Sequence, residues 1–206
     1  MNIERWSELM RAFDFGVNEE MFNSLRVAYS EAHRHYHTGE HVQACLRHLD
    51  SCSAQTDEPK EIELALWFHD AIYKPLSSNN ERMSADWAAT FLLANSVNRE
   101  IIARVHRLIM ATEHNAPTNT KDESILVDID LSILGATIEV YTAFEEAVRR
   151  EYRIVPMFIY RRKRTKVLNS FLRRPRIYQN EPFRSEREQQ ARVNLSNAIS
   201  QLSARA

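Results

Sequence analysis

The sequence predicts an all-α protein, and three observations carry that expectation. Apolar residues recur at three- and four-residue spacing, as in Leu64, Leu66, Trp67, Phe68 and Ile72, and again in Ile101, Ile102, Val105, Leu108 and Ile109. Glycine and proline are scarce, with three and six in 206 residues. That scarcity argues against the many turns of a sandwich or barrel and against a Gly-rich phosphate or dinucleotide loop. Finally, 44% hydrophobic residues are enough to build a sizeable core at this length.

The helices are expected, in order, at 3–13, 18–31, 38–53, 58–71, 80–95, 98–112, 122–134, 137–152, 156–172 and 184–203. Thr38 with Glu40 suits a helix start, as does Glu61 after Glu58-Pro59, because carboxylates favour the positive end of the helix dipole. The breakers fall at the ends of these spans or between them, at 57–59, 74–80, 115–120 and 173–182. None of these connections has the length of an interdomain linker, and no repeat or low-complexity tract occurs. One domain over 1–206 is the expected organisation, with a basic helical portion at about 149–206 packed on the core.

Cys45 and Cys52 lie seven apart in a predicted helix, roughly 10 Å along its axis. A disulfide spans no more than about 7 Å between Cα atoms, so reduced thiols in a reducing compartment are expected. No apolar run approaches the roughly 18 residues of a membrane span, and Met1 to Arg11 lacks the order of a secretory signal. The expectation is a soluble cytoplasmic protein without a membrane partner. Net charge is −1, but it is unevenly spread: residues 149–206 hold 15 Lys or Arg against 4 Asp or Glu, and residues 1–148 hold 12 against 24. Opposed halves can attract each other on folding, or the basic part can serve a polyanionic ligand. The acidic remainder weighs against nucleic acid, despite Arg161-Arg162-Lys163-Arg164.

All eight histidines precede residue 115. His37 and His41, four apart at a helix start, can share a face. His69-Asp70 directly follows the apolar stripe ending in Trp67-Phe68, where an imidazole and a carboxylate are costly to bury without partners. Asp128 and Asp130 sit in another apolar helix, Val127-Asp128-Ile129-Asp130-Leu131. Acids there require a partner, and a cation is the economical one. Each group also has a plainer use: a histidine on a helix can be solvated or satisfied in the core, and Asp128 or Asp130 can cap a helix or pair with an arginine.

Taken in order, His41, then His69-Asp70, then a distant Asp within a helical chain resemble the HD-domain superfamily of metal-dependent phosphohydrolases. Further matches extend the likeness toward the predicted HD phosphohydrolases of bacteria. They are Tyr36-His37, Ala71-Ile72-Tyr73, Asn80-Glu81 with Ser84-Ala85, and Leu134-Gly135. Toward the basic end they continue with Arg150-Glu151-Tyr152, Val155-Pro156, 171–178 and 191–195. The resemblance covers nearly the whole chain and implies an HD-domain helical bundle with additional C-terminal helices.

Carried over residue by residue, the resemblance makes His41, His69, Asp70 and Asp130 the ligands of one divalent metal. Asp130 is preferred to Asp128 because the superfamily's last ligand stands in an Asp-Leu pair, as Asp130-Leu131 does. Mixed nitrogen and oxygen donors suit manganese, iron, cobalt or zinc better than magnesium. A second metal is possible on this scaffold but is not favoured, since the tighter His-His pattern it uses is missing. The implied reaction is cleavage of a phosphate ester of a small molecule, a nucleotide or nucleotide derivative, by metal-bound hydroxide. His37 resembles in placement the general acid of cyclic nucleotide phosphodiesterases, with a packing role as the alternative. Asp70 and Glu81 complete the catalytic set, and Arg34, His114 and Arg150 are the candidate substrate contacts, a guanidinium being able to grip phosphate with two hydrogen bonds.

Two rival readings share the same fold. One is a non-catalytic metal- and nucleotide-binding sensor or RNA-associated module. The other is an iron pair performing oxidation, which needs further ligands such as His106, His114 or Glu81. A homodimer is compatible with any of the three.

Overall fold

The computed structural model describes residues 1–204, and the protein is all-α, with no strand among the described residues. Ten α-helices run α1 (Ile3–Ala12), α2 (Glu19–Ala28), α3 (Gly39–Cys52), α4 (Pro59–Phe68), α5 (Asn80–Ala94), α6 (Arg99–Ala111), α7 (Lys121–Asp130), α8 (Ile138–Glu151), α9 (Met157–Leu172) and α10 (Phe183–Ala204). A short 3-10 segment, Leu131–Gly135, follows α7 directly. No described helix is long and apolar enough to cross a membrane. The chain divides into two compact units, Met1–Val127 and Asp128–Ala206, with the division inside α7.

In the first unit α4 is the central element. Six of its ten residues, Ile62 and the run Leu64 to Phe68, are 0% exposed. A helix apolar all round is a core helix, and α1, α3, α5 and α6 pack on it. Trp67 meets Trp6 of α1 edge-on at 5.3 Å between ring centroids, and Phe68 stacks on Phe91 of α5 at 5.9 Å. Each such side chain contributes about 1.5–3 kcal/mol by leaving water. The start of α4 is tied down by Asp122 of α7, whose carboxylate accepts from the amides of Asp57 and Glu58 at 2.8 and 2.9 Å. Buried Glu61 accepts two hydrogen bonds from the Arg104 guanidinium, at 2.8 and 2.6 Å, which satisfies its charge. The result is a rigid rod whose C-terminal end delivers His69 and Asp70.

In the second unit α10 packs on α9 and on the 3-10 segment. The expected continuation of α7 to residue 134 is replaced by that tighter turn. Tyr178 Oη donates to the Leu131 carbonyl at 2.9 Å, and Asn194 Nδ2 donates to the carbonyls of Leu134 and Ala136 at 2.8 and 2.9 Å. These side chains satisfy acceptors that an α-helix would have used internally. Gly135 allows the approach of α10: a Cβ there would lie 2.5 Å from the Arg187 Cβ and 2.7 Å from the Arg187 carbonyl oxygen. Arg164 of α9 grips Glu145 of α8 with two hydrogen bonds at 3.1 and 2.6 Å.

Candidate metal centre

Thr38 caps α3, its hydroxyl accepting from the Glu40 amide at 3.3 Å, so that His41 falls in the first turn with its side chain buried. His69 and Asp70 stand just beyond α4, where the helix stops short of the expected residue 71. The His69 Nδ1 lies 2.9 Å from the Leu66 carbonyl. A carbonyl only accepts, so Nδ1 carries a proton, and in the neutral ring Nε2 is left with its lone pair, the state a metal ligand needs.

Three donor atoms then converge. His41 Nε2 is 3.0 Å from His69 Nε2, His69 Nε2 is 3.1 Å from Asp70 Oδ2, and His41 Nε2 is 3.6 Å from the same oxygen. Ligands about 2.0–2.1 Å from a shared ion stand about 3.0 Å apart at right angles and about 3.4 Å apart in a tetrahedron, so the triangle has the size of one coordination face. Burial pushes the Asp70 carboxyl upward, but the imidazoles of His69, His37 and His41 outweigh it and hold the group well below the usual carboxylate range. An anionic oxygen beside two imidazole nitrogens suits a divalent cation.

Within the first unit, His41, Cys45 and His69 each offer one donor atom, all within 4.8 Å of one another, so this buried group could hold a metal ion. Asp130 is the last residue of α7. Cys45, one turn after His41, escapes the sequence reading. Its Sγ is 3.8 Å from His41 Nδ1 and 3.7 Å from Nε2. Near-equal distances place the sulfur beside the ring, not beyond Nε2 where a shared ion would sit, so in this rotamer the thiol packs on the imidazole. Asp128 has another use. It is 0% exposed and accepts from the amides of Gln179 and Asn180 and from Asn180 Nδ2, which occupies both its oxygens.

Arg34 is turned inward. Its side chain is fully buried, donating to the carbonyls of Asp70 at 2.6 Å, Ala71 at 3.0 Å and His37 at 3.0 Å, and to Glu31 at 2.9 Å. Its guanidinium carbon also lies 5.2 and 5.5 Å from the ring centroids of Tyr29 and Tyr73. Four of its five N–H groups are spent on protein acceptors, which makes it a clamp on the His-Asp turn and not a free phosphate grip. Tyr29 joins the clamp: its hydroxyl donates to the Trp67 carbonyl at 3.1 Å and accepts from the Asp70 amide at 3.3 Å.

The sequence motif Asn80-Glu81 with Ser84 has a similar structural part. Asn80 bonds both ways with the Lys74 backbone at 3.0 Å, and Ser84 Oγ accepts from the Ile72 amide at 3.0 Å. Together they fix the loop that leaves Asp70. Glu81, in the first turn of α5, is partly buried, and burial with the nearby charges of Asp70 and Glu113 raises its carboxyl above the ordinary value. His114 follows α6 in a left-handed conformation, φ 57°, within electrostatic reach of Glu81. His37 stacks on Tyr73 at 4.1 Å, its centroid 6.2 Å from that of His41. His106 instead pairs with Asp86 at 3.1 Å. Arg150 lies exposed on α8 with Glu146 3.9 Å away.

Comparison with family models, with curated proteins and with solved structures finds no match.

Proposed function

We propose that the chain is an HD-type metal-dependent phosphohydrolase acting on a small phosphorylated molecule, a nucleotide or nucleotide derivative. The observation that carries this reading is the convergence of His41 Nε2, His69 Nε2 and Asp70 Oδ2, with the His69 tautomer set by the Leu66 carbonyl. Asp130 is assigned as the further ligand from the order of motifs. Imidazole and carboxylate donors favour manganese, iron, cobalt or zinc over magnesium. Such an ion supplies Lewis acidity, easing deprotonation of water near neutral pH and polarising a phosphoryl oxygen.

The protein's own residues divide the remaining work. Leu66 and the Arg34–Tyr29 clamp orient His69 and Asp70. His37, close enough to lower the Asp70 carboxyl, is the candidate proton donor to the leaving oxygen. Glu81, whose carboxyl burial raises above its ordinary value, is the candidate for orienting water, while His114 beside it is the candidate phosphate contact. Metal analysis of the purified protein, followed by a hydrolysis screen of nucleotides with added Mn, Fe, Co or Zn, tests the proposal. A protein that takes up none of these ions loses the metal reading, and one that binds an ion but hydrolyses no phosphate ester loses the hydrolase reading.

A further inference from the structure

Where α8 gives way to α9, the chain presents Ile154, Met157 and Phe158 to solvent, Ile154 at 73% and Phe158 at 75% exposure. Three large apolar side chains within five residues are more than a scattered surface hydrophobe. The residues around them are basic. α9 holds five Lys or Arg and no acid; Arg164 is spent inward on Glu145, whereas Arg162, Lys163 and Lys166 are exposed. Phe158, Arg162 and Lys166 follow at four-residue spacing and so line one face of the helix. On the other side of the turn, Arg150 and Arg153 are exposed as well. The exposed acid nearest in sequence, Glu146, approaches Arg150 no closer than 3.9 Å.

We propose that this corner docks the protein on an anionic lipid bilayer, with Ile154 and Phe158 entering the boundary between headgroups and acyl chains and the arginines and lysines meeting lipid phosphates. An apolar tip ringed by cations is complementary to a surface that is apolar within and anionic at its face. A second copy of this chain fits less well, because a self-complementary contact would set the same basic groups against each other. Nucleic acid would use the charges but offers no apolar phase for Ile154 and Met157. That no described helix is long and apolar enough to span bears only on crossing a bilayer, not on lying against one. This inference is independent of the metal centre.

Co-sedimentation with vesicles tests it, comparing pure phosphatidylcholine with a mixture containing about 30 mol% phosphatidylserine. The full chain is expected to bind the anionic vesicles only, and to be released as salt rises through about 0.5 M. Arg162→Gln and Lys166→Gln should each weaken binding about fivefold. Phe158→Ser combined with Ile154→Ser should weaken it tenfold or more, with an unchanged circular dichroism spectrum. Failure to bind anionic vesicles overturns the proposal. So does undiminished binding by the Phe158→Ser, Ile154→Ser double variant, or equal binding of wild type and that variant to heparin and vesicles alike, which would mark a plain polyanion site. A dimer in sedimentation equilibrium that the double variant dissolves would also overturn it.

Discussion

The Arg34 guanidinium donates to the Asp70 carbonyl at 2.6 Å, so a buried charge on one segment holds the backbone of a proposed ligand on another, 36 positions away. Arg34→Lys keeps the charge but loses the planar fork whose three nitrogens together reach Glu31 and three carbonyls. The variant should retain its helical content and bind Zn or Mn about 10 to 100 times more weakly, the usual effect of losing a group that orients a ligand. Isothermal titration with each metal measures it, and an unchanged affinity in a folded variant would reduce Arg34 to a purely packing role.

His41→Ala and Asp70→Asn each remove one corner of the donor triangle. Metal that binds the folded state stabilises it by mass action, about 2.7 kcal/mol at a hundredfold excess over Kd. The melting temperature of the wild type should therefore climb as Zn or Mn is added, while both variants should show a flat response. A variant whose melting temperature still rises with metal as the wild type's does would place the binding site elsewhere.

The helices were legible because each buries a face of periodic apolar residues, and the observed ends mostly lie within a few residues of the expected ones. The exceptions have long-range causes. α4 stops at Phe68 because Tyr29 and Arg34 take up backbone groups of the following turn. α7 gives way to a 3-10 segment because Tyr178 and Asn194 supply donors from distant positions. Contacts of this kind leave no periodic mark. The same holds for the site: His41, His69 and Asp70 announce themselves by motif, but nothing local reveals that Arg34 points inward or that the Asp128 oxygens are spent on residues 179 and 180. Cys45 was visible in principle, as the residue four after His41 on one helix face.

His37→Ala separates binding from chemistry. The ring stacks on Tyr73 and is not one of the donor group, so metal content should hold. If His37 protonates the leaving oxygen, turnover of an alkyl phosphate ester should fall by about 10² to 10⁴. p-Nitrophenyl phosphate leaves without protonation and should lose far less. Equal losses on both substrates would remove the leaving-group role.

Gly135→Ala tests the seat of the 3-10 segment. The added Cβ would overlap Arg187 Cβ and its carbonyl oxygen, and backbone in α10 cannot yield as a flexible side-chain end can. Overpacking of this kind costs about 1–3 kcal/mol. Urea denaturation should show the midpoint lowered with an unchanged slope; a midpoint equal to that of the wild type would mean that α10 shifts without cost.

Tyr29, Tyr141, Tyr160 and Tyr178 are buried, and burial is the first cause raising each phenol, Tyr160 to about 12, Tyr141 and Tyr178 further, and Tyr29 well above its ordinary value. Neighbouring carboxylates add to the shift: Asp70 at Tyr29, Glu145 at Tyr141 and Tyr160, and Asp128 followed by Glu188 at Tyr178. Between the ordinary tyrosine value of about 10 and these higher values, the unfolded chain has released protons that the folded chain retains. Fewer protons bound in the unfolded state means that stability falls as pH rises, by about 1.4 kcal/mol per pH unit for each such tyrosine. The stabilising contribution is thus fully present below pH 10 and is lost above it. Absorbance at 295 nm should show these four of the seven tyrosines ionising together with the loss of helical circular dichroism. Seven tyrosines titrating smoothly near pH 10 in a protein that stays folded would contradict the burial of all four.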